Sequence, residues 1–374
     1  MSIEPIILTL IVKDEEHVIE RCLRSALPYV NGYLIVDTGS TDNTISKIRY
    51  IAEQLGVSGY IFERPWVNFG HNRSEALQLV RETFGTASWA FMIDADDSFC
   101  HNKSLAPSDN NAANLRSDLT ALRNQQPPQN AATLSIHKES IQYKRTTIFH
   151  STAHWKYEGP IHEYPSCSGE ARIGSLTDKE YYIEARCEGA RSKDPLKYAK
   201  DAEMLSHELA VNPQNTRAAF YYAQSLRDAG DSVKAVEAYK KRAVMSGWNE
   251  EVYISVLNIV RMWGDLSLLW KAAGIGRLEV AAEAMRICRL RNDFNQEVYA
   301  FSARVSDVLK VPRDGLFIEP EYYKWIFWDE FSIFAYYTAN YKESYIAALR
   351  AEHGCPDGHK DRIRKNVDFA LDKL

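Results

Sequence analysis

Three carboxylates at the end of a short apolar segment are the residues of this chain best suited to chemistry. The segment Ala90-Phe-Met-Ile-Asp-Ala-Asp-Asp97 ends in Asp94, Asp96 and Asp97. An apolar run preceded by Trp89 predicts a buried parallel strand, and open α/β sheets bind ligands beyond the carboxyl ends of such strands. Carboxylates this close raise one another's pKa unless they share a cation. A hard divalent ion that also holds phosphate oxygens would relieve that repulsion, so the cluster predicts a metal and phosphate site.

Strands and helices alternate around this cluster. The predicted strands are Ile6–Val12, Tyr33–Val36, Gly59–Phe62 and Trp89–Ile93, and the predicted helices are His17–Leu27, Ile45–Leu55 and Phe69–Val80. Such alternation predicts a parallel, doubly wound sheet. The first two strands end in the polar runs Lys13–Glu16 and Asp37–Thr44, where a ligand crevice forms in such sheets.

Composition and absent motifs exclude several classes of protein. The chain has 374 residues, a net charge of −5 and a pI near 6.1, which gives no electrostatic footprint for broad nucleic-acid binding. It contains neither G-x-G-x-x-G nor G-x-x-x-x-G-K-[ST], which disfavours a dinucleotide fold and a P-loop enzyme. Its six scattered cysteines and an amino terminus without a signal-peptide pattern predict a cytoplasmic protein with reduced thiols and no membrane span.

Five stretches together resemble the GT-A glycosyltransferases of family 2. They are Ile11-Val-Lys-Asp-Glu-Glu16, Val36-Asp-Thr-Gly-Ser-Thr-Asp-Asn-Thr44, Trp66-Val-Asn-Phe-Gly-His-Asn-Arg73, Met92-Ile-Asp-Ala-Asp-Asp97 and Tyr157-Glu-Gly-Pro-Ile-His-Glu163. The last is similar to the G-x-[IV]-H-E segment of a subgroup that includes bacterial peptide S-glycosyltransferases and lipopolysaccharide-core transferases. The resemblance covers roughly residues 5–190 and implies a Rossmann-like α/β domain with a mostly parallel sheet.

The resemblance also implies roles for individual residues. Asp94 and Asp96 would bind a Mn²⁺ or Mg²⁺ ion and the diphosphate of a nucleotide sugar, with a UDP-sugar favoured. The implied substrate-binding residues are Lys13, Glu15, Asp37, Ser40, Asp42, Arg73, Asp94, Ala95 and Trp155. We expect Glu163 to be the general base and His162 to be a third metal ligand or a diphosphate contact. The reverse assignment stays open, and Glu158 is a weaker candidate for the base.

The implied reaction is an inverting transfer of a sugar to a protein or glycan acceptor. Two alternatives remain: a non-catalytic scaffold with a degenerate transferase fold, and a nucleotidyltransferase, although the latter's usual basic, glycine-rich loop is missing. One position departs from the family pattern, because His150 stands where relatives often have an arginine. A polar stretch from Asn102 to Ala132 predicts a loop with one short helix at Ala112–Arg123.

The second half of the chain changes to helical periodicity near Lys193. Ala229-Gly-Asp231 recurs as Trp263-Gly-Asp265, an offset of 34 residues that is the length of a tetratricopeptide repeat. Weaker echoes follow at Arg291–Phe294 and Tyr337–Ser344. We therefore expect a transferase domain at residues 1–190 and a tetratricopeptide-like domain at residues 191–374. Similar transferases carry such tails, which implies homodimerisation or acceptor binding by this half.

Overall fold

A computed structural model describes residues 4–101, 109–139, 141–177, 181–308, 310–312 and 315–374. The chain divides into two compact units, Met1–Lys197 and Tyr198–Leu374, against a predicted boundary at residues 190 and 191. Residues 102–108, the first part of the polar stretch that follows Asp97, lie outside the described residues.

The first unit is built around a mixed sheet. Its first four strands pair in parallel, as the alternating pattern predicts, and later strands add antiparallel pairs. Its strands are β1 (Ile6–Val12), β2 (Gly32–Asp37), β3 (Gly59–Glu63), β4 (Trp89–Met92), β5 (Ser98–His101), β6 (Ala131–Lys138), β7 (Ile141–His150), β8 (His154–Glu158), β9 (Tyr164–Ser168), β10 (Ile173–Ser175) and β11 (Tyr181–Glu184). Its helices are α1 (Ile19–Ala26), α2 (Thr44–Gln54), α3 (Phe69–Phe84) and α4 (Asp109–Arg123). The strand order is β3-β2-β1-β4-β7-β6-β11-β5, with β10 beside β6, while β8 and β9 form a separate hairpin.

The first strands are continuous apolar runs because both faces of the sheet are covered. Alternate side chains of β1 point to opposite faces, so Ile6, Leu8 and Leu10 join the core that contains α1 and α2. Ile7 belongs to a second core on the α3 side. Burial on both faces is the reason that β1 lacks the apolar–polar alternation of a half-exposed strand.

Parallel pairing brings the polar strand ends to one edge of the sheet. β1 runs parallel to β2 and to β4, with Val12 opposite Asp37 and Thr9 opposite Met92. β7 runs antiparallel to β4, with Phe91 opposite Ile148, so the earlier residues of β7 lie at the same edge. The residues after β1, β2 and β4 therefore meet there, as they do in open α/β sheets.

The second unit is helical and has its own core. Its helices are α5 (Lys197–Val211), α6 (Thr216–Asp228), α7 (Ser232–Val244), α8 (Asn249–Trp263), α9 (Glu279–Leu290), α10 (Gln296–Val305), α11 (Phe327–Tyr337), α12 (Tyr341–Gly354) and α13 (Asp357–Leu371). The first predicted repeat turn joins α6 to α7, where Asp231 caps α7 by accepting from Lys234 N. Across the described part of the chain, the helices are too short or too polar to cross a membrane.

Candidate active site

Arg73 lies at the centre of the charged cluster beyond β4. Its guanidinium donates to Asp94 and lies 2.8 Å from Glu163 Oε1, and it sits 5.7 Å from the centre of the Tyr157 ring. The Arg73 and Glu163 side chains are only 12% and 13% exposed, so water screens this pair weakly. The structure thus joins residues from three of the stretches that carry the family resemblance.

The start of α3 holds Arg73 in this position. Asn68 caps the helix, since its side chain accepts a hydrogen bond from His71 N at 2.8 Å. Phe69 N donates to Pro160 O at 3.1 Å, which ties the helix start to the β8–β9 turn that leads to Glu163. Gly70 permits this contact, because a Cβ there would lie 2.2 Å from Gly159 O.

A second arginine, Arg145 of β7, completes the positive charge of the cluster. It lies 3.4 Å from Asp94 Oδ2 and 3.3 Å from Asp97 Oδ2. Burial raises the pKa of Asp94, but Arg73 and Arg145 more than offset it and hold that pKa well below its ordinary value. Burial, with the nearby charge of Asp94, raises the pKa of Asp97 to about 7. Two neighbouring carboxylates therefore differ strongly in proton affinity.

Asp96 and Glu15 accept hydrogen bonds from a segment after β11, residues 186–190, which we call the strap. Asp96 Oδ2 accepts from Glu188 N at 3.0 Å and from Gly189 N at 2.9 Å. Glu15 accepts from Ala190 N at 3.2 Å with both carboxylate oxygens. Burial raises the pKa of Glu15 to about 7, although the hydrogen bond from Ala190 lowers it.

The polar loops after β1 and β2 bind each other. Asp37 is buried and its carboxylate accepts from Gly39 N at 3.2 Å and Ser40 N at 3.1 Å, which stabilises the turn. Ser40 Oγ accepts from Asp14 N at 3.0 Å, and Asp42 Oδ2 accepts from Glu16 N at 3.1 Å. Ser40 and Asp42 therefore shape the crevice through the backbone of the neighbouring loop.

The other predicted site residues differ in their exposure to solvent. Ala95 is buried between its two aspartates, Lys13 is exposed after β1, and His162 is exposed beside Glu163 with a left-handed φ of 52°. Glu158 pairs with Lys156 at 3.2 Å on the β8–β9 hairpin.

Trp155 and His150 lie toward the amino-terminal end of β4, away from the charged cluster that follows its carboxyl end. Trp155 is buried and donates from Nε1 to Asn130 O at 2.9 Å, and that carbonyl also accepts from His150 N. His150 is opposite Trp89, the first residue of β4, and its ring is fully buried. Burial and the charge of Arg123 lower the pKa of His150 to about 4, so it packs as a neutral side chain.

Comparison with known proteins identifies a family match in the first unit. Residues 8–157 match the model of Glycosyl transferase family 2. This family 2 segment runs from within β1 to within β8 and includes Arg73, Asp94 and Asp96, and over these residues it confirms the resemblance seen in the sequence. The helical unit follows this segment, as the change to helical periodicity predicts.

Individual proteins that are similar to this chain are distant in sequence. The TPR repeat-containing protein Synpcc7942_0270 of Synechococcus elongatus is 25% identical over 163 residues, which are 42% of this chain and 34% of that protein. The chain thus spans about a third of this relative's length. S. aureus TarS 1-349 is 11% identical, with 82% of this chain and 93% of that chain covered and a TM-score of 0.36.

Two further solved structures are also distant from this chain in sequence. TarS 1-349 in complex with UDP-GlcNAc is 12% identical, with a TM-score of 0.36 over 80% of this chain and 90% of that chain. TTC0263, a thermophilic TPR protein of Thermus thermophilus, is 14% identical, with a TM-score of 0.26 over 47% of this chain and 91% of that chain.

The described carboxylates of the family 2 segment do not form a metal site made of protein ligands alone, but one of them suits a site that is completed by substrate phosphates. Within the ranges described above, no three His, Cys, Asp or Glu side chains are grouped so that they could hold a metal ion among them. Both oxygens of Asp94 are paired with arginines, whereas the hydrogen bonds to the Asp96 side chain reach Oδ2. Magnesium-type ions are commonly held by one or two carboxylates together with substrate phosphates. Asp96 suits that arrangement.

Sequence reasoning missed Arg145 and the strap. Arg145 is 51 residues from Asp94, and the strap residues Glu188 and Gly189 are 92 and 93 residues from Asp96. The strap has no motif that marks it. A signal for Arg145 existed in the charge balance, because three neighbouring acids at one strand end need more than the single positive charge of Arg73.

Proposed function

We propose that the first unit transfers a sugar from a nucleotide-diphosphate sugar, UDP-linked by preference, to a protein or glycan acceptor. The observation that carries this proposal is the bridge from Asp94 through Arg73 to Glu163 at the carboxyl edge of the family 2 sheet. It places a positive group and a candidate base side by side where ligands of such folds bind.

In this proposal Asp96 holds a Mn²⁺ or Mg²⁺ ion through a carboxylate oxygen, with His162 as a further candidate ligand. When bound, the ion would supply Lewis-acid stabilisation of the leaving diphosphate. Arg73 and Arg145 bring fixed positive charge to the same place, where it stabilises developing negative charge without reorganisation. Asp94 positions both arginines through its two oxygens.

Glu163 acts as general base in the proposed reaction. The acceptor hydroxyl, thiol or amide attacks the anomeric carbon, its proton passes to Glu163, and the bond between that carbon and the diphosphate oxygen breaks. This single displacement inverts the anomeric configuration. Arg73 orients the Glu163 carboxyl group at 2.8 Å, which meets the requirement that a base be held in position. The helical unit, by this proposal, recognises the acceptor or mediates self-association.

The deciding experiment measures metal-dependent nucleotide binding by the Asp96→Asn variant. Asparagine retains an oxygen that accepts from Glu188 N and Gly189 N, so we expect the fold to persist while manganese-dependent UDP binding and transfer are lost. Asp361→Asn, an exposed change on α13, is the matched control and should behave as wild type. Near-wild-type turnover by Asp96→Asn would reject the metal assignment, and pyrophosphate release would favour a nucleotidyltransferase.

A further inference from the structure

The strap donates backbone hydrogen bonds to three acids of the candidate site. Arg186 N donates to Asp97 Oδ1 at 3.1 Å, Glu188 N and Gly189 N donate to Asp96, and Ala190 N donates to Glu15. Backbone donors aimed at carboxylates form strong, charge-assisted hydrogen bonds. The strap therefore occupies part of the surface that a metal ion or a diphosphate would need.

Side chains tie the same segment to the start of α1. The Glu188 carboxylate pairs with Arg21 at 2.7 Å, and the Arg21 guanidinium also donates to Asp96 O at 2.8 Å. Glu188 O lies 2.8 Å from His17 Nε2. Just after the strap, the Arg191 guanidinium lies 4.8 Å from the centre of the Phe69 ring at the start of α3. The segment is thus fastened on both sides of the crevice.

At Gly189 the backbone of the strap packs tightly against the carboxylates of Glu15 and Asp96. A Cβ at this position would lie 3.0 Å from Glu15 Oε1 and 3.4 Å from Asp96 Oδ2. Its φ of −61° and ψ of 164° are open to any residue, so the backbone itself does not require glycine. The absence of a side chain is needed only while the strap lies against the two carboxylates.

We propose that the strap is a latch, whose peptide N–H groups hold Asp96 and Glu15 in the free protein and release them when a metal ion and a nucleoside diphosphate bind. Asp96 Oδ2 already accepts two hydrogen bonds, so the metal or its phosphate ligands compete with the strap for that carboxylate. This inference rests on the proposed donor site. It adds that donor binding carries the cost of opening the strap, so a looser strap binds donor more tightly.

Gly189→Ala is the variant that tests the latch. The added methyl group crowds Glu15 and Asp96 only in the closed position, so affinity for UDP with Mn²⁺ should rise about tenfold. Glu188→Ala removes the exposed ion pair with Arg21 and should raise affinity about two- to fivefold. Glu170→Ala is the control, because it removes an exposed ion pair with Arg172 at 3.2 Å that involves no residue of the strap, and UDP affinity should be unchanged.

Hydrogen exchange on the full chain supplies a readout that is independent of turnover. The amides of Glu188, Gly189 and Ala190 should be protected in the free protein and lose protection when Mn²⁺ and UDP are added. Binding with unchanged or greater protection, or with equal or weaker affinity in Gly189→Ala, overturns the latch alone. Binding by Gly189→Ala but not by wild type supports it. Failure of both proteins to bind UDP with Mn²⁺ overturns the proposed donor site and the latch together.

Discussion

At the scale of single residues, charge pairing explains why this cluster of acids is tolerated. Asp94 is held between Arg73 and Arg145, and Asp97 shares Arg145. A buried carboxylate is stable when it is paired and hydrogen-bonded, and each acid here has such partners. The same arginines would face the phosphates of a donor.

Replacing Glu163 tests the proposed base. Glu163→Gln should reduce turnover by ~10²–10⁴-fold while nucleotide affinity stays nearly unchanged, because only the proton acceptor is lost. Glu158→Gln tests the weaker candidate for the base, and turnover should be retained because Glu158 pairs with Lys156 on the hairpin. Single-turnover rates and UDP titrations measure the two quantities separately. If affinity for the nucleotide collapses instead, Glu163 belongs to the diphosphate site, whereas His162→Ala should lose metal-dependent binding first.

Glu15 should make the protein less stable as the pH rises toward neutral. Burial raises its pKa to about 7 in the folded protein, against roughly 4.3 in an unfolded chain. Between these values the folded state holds a proton that the unfolded state has released, so the contribution of Glu15 to stability falls as pH increases. Glu15→Gln should therefore flatten the decline of Tm between about pH 5 and 7. Asp97 would leave a residual slope of the same sign, and identical slopes in both proteins would contradict the assignment to Glu15.

At the scale of elements, the contact between α3 and the β8–β9 turn positions both Arg73 and Glu163. The helix start and the turn share a backbone hydrogen bond, from Phe69 N to Pro160 O, and a close approach at Gly70. Because Arg73 lies one helical turn after Phe69, any shift of the helix start moves the guanidinium.

Gly70→Ala should destabilise the first unit by about 1–3 kcal/mol, because a Cβ there would lie 2.2 Å from Gly159 O. Gly358→Ala is a matched control, since Gly358 is likewise the second residue of its helix and a Cβ on it would have nothing within 4 Å. It should be neutral or stabilising by up to about 1 kcal/mol. Thermal unfolding of both variants tests this prediction. An equal Tm for the two would show that the backbone at the helix–turn contact shifts to accommodate the methyl group without loss of stability.

At the scale of the whole molecule, each unit has its own core and should unfold as a unit of its own. In the helical unit, the fully buried Arg277 lies 2.6 Å from Glu250 Oε2 and 2.8 Å from Glu279 Oε1. It also donates to Leu316 O at 2.7 Å, which fixes the segment before α11.

Arg277→Ala should lower the stability of the helical unit by about 3–5 kcal/mol, because it removes the ion-pair partner of the buried Glu279 and the half-buried Glu250. Lys360→Ala removes an exposed ion pair with Asp357 on α13 and should leave the free energy of unfolding nearly unchanged. Calorimetry should show one of two transitions shifted by Arg277→Ala, with UDP binding retained. A single transition that shifts as a whole would mean that the units unfold together.

Local patterns in the sequence were sufficient to predict the first four strands and the change to helices in the second half. The apolar runs at Ile6–Val12 and Trp89–Ile93 predicted strands, and the recurrence of Ala229–Asp231 predicted a turn between paired helices. These predictions succeed because burial on a strand or a helix face imposes a short period on neighbouring residues. The position of Asp94 and Asp96 at a strand end follows from the same periodicity.

Contacts between distant segments were decided only by the tertiary structure. β7 inserts antiparallel beside β4, and this register brings Arg145 to Asp94 across 51 residues of chain. The strap reaches Asp96 and Glu15 through backbone N–H groups, which every residue except proline carries and which therefore leave no trace in the sequence. Trp155 matched the family pattern, yet the fold anchors its indole to Asn130 O. Residue types and spacing thus determined which elements form, whereas strand order and register determined which of their side chains meet.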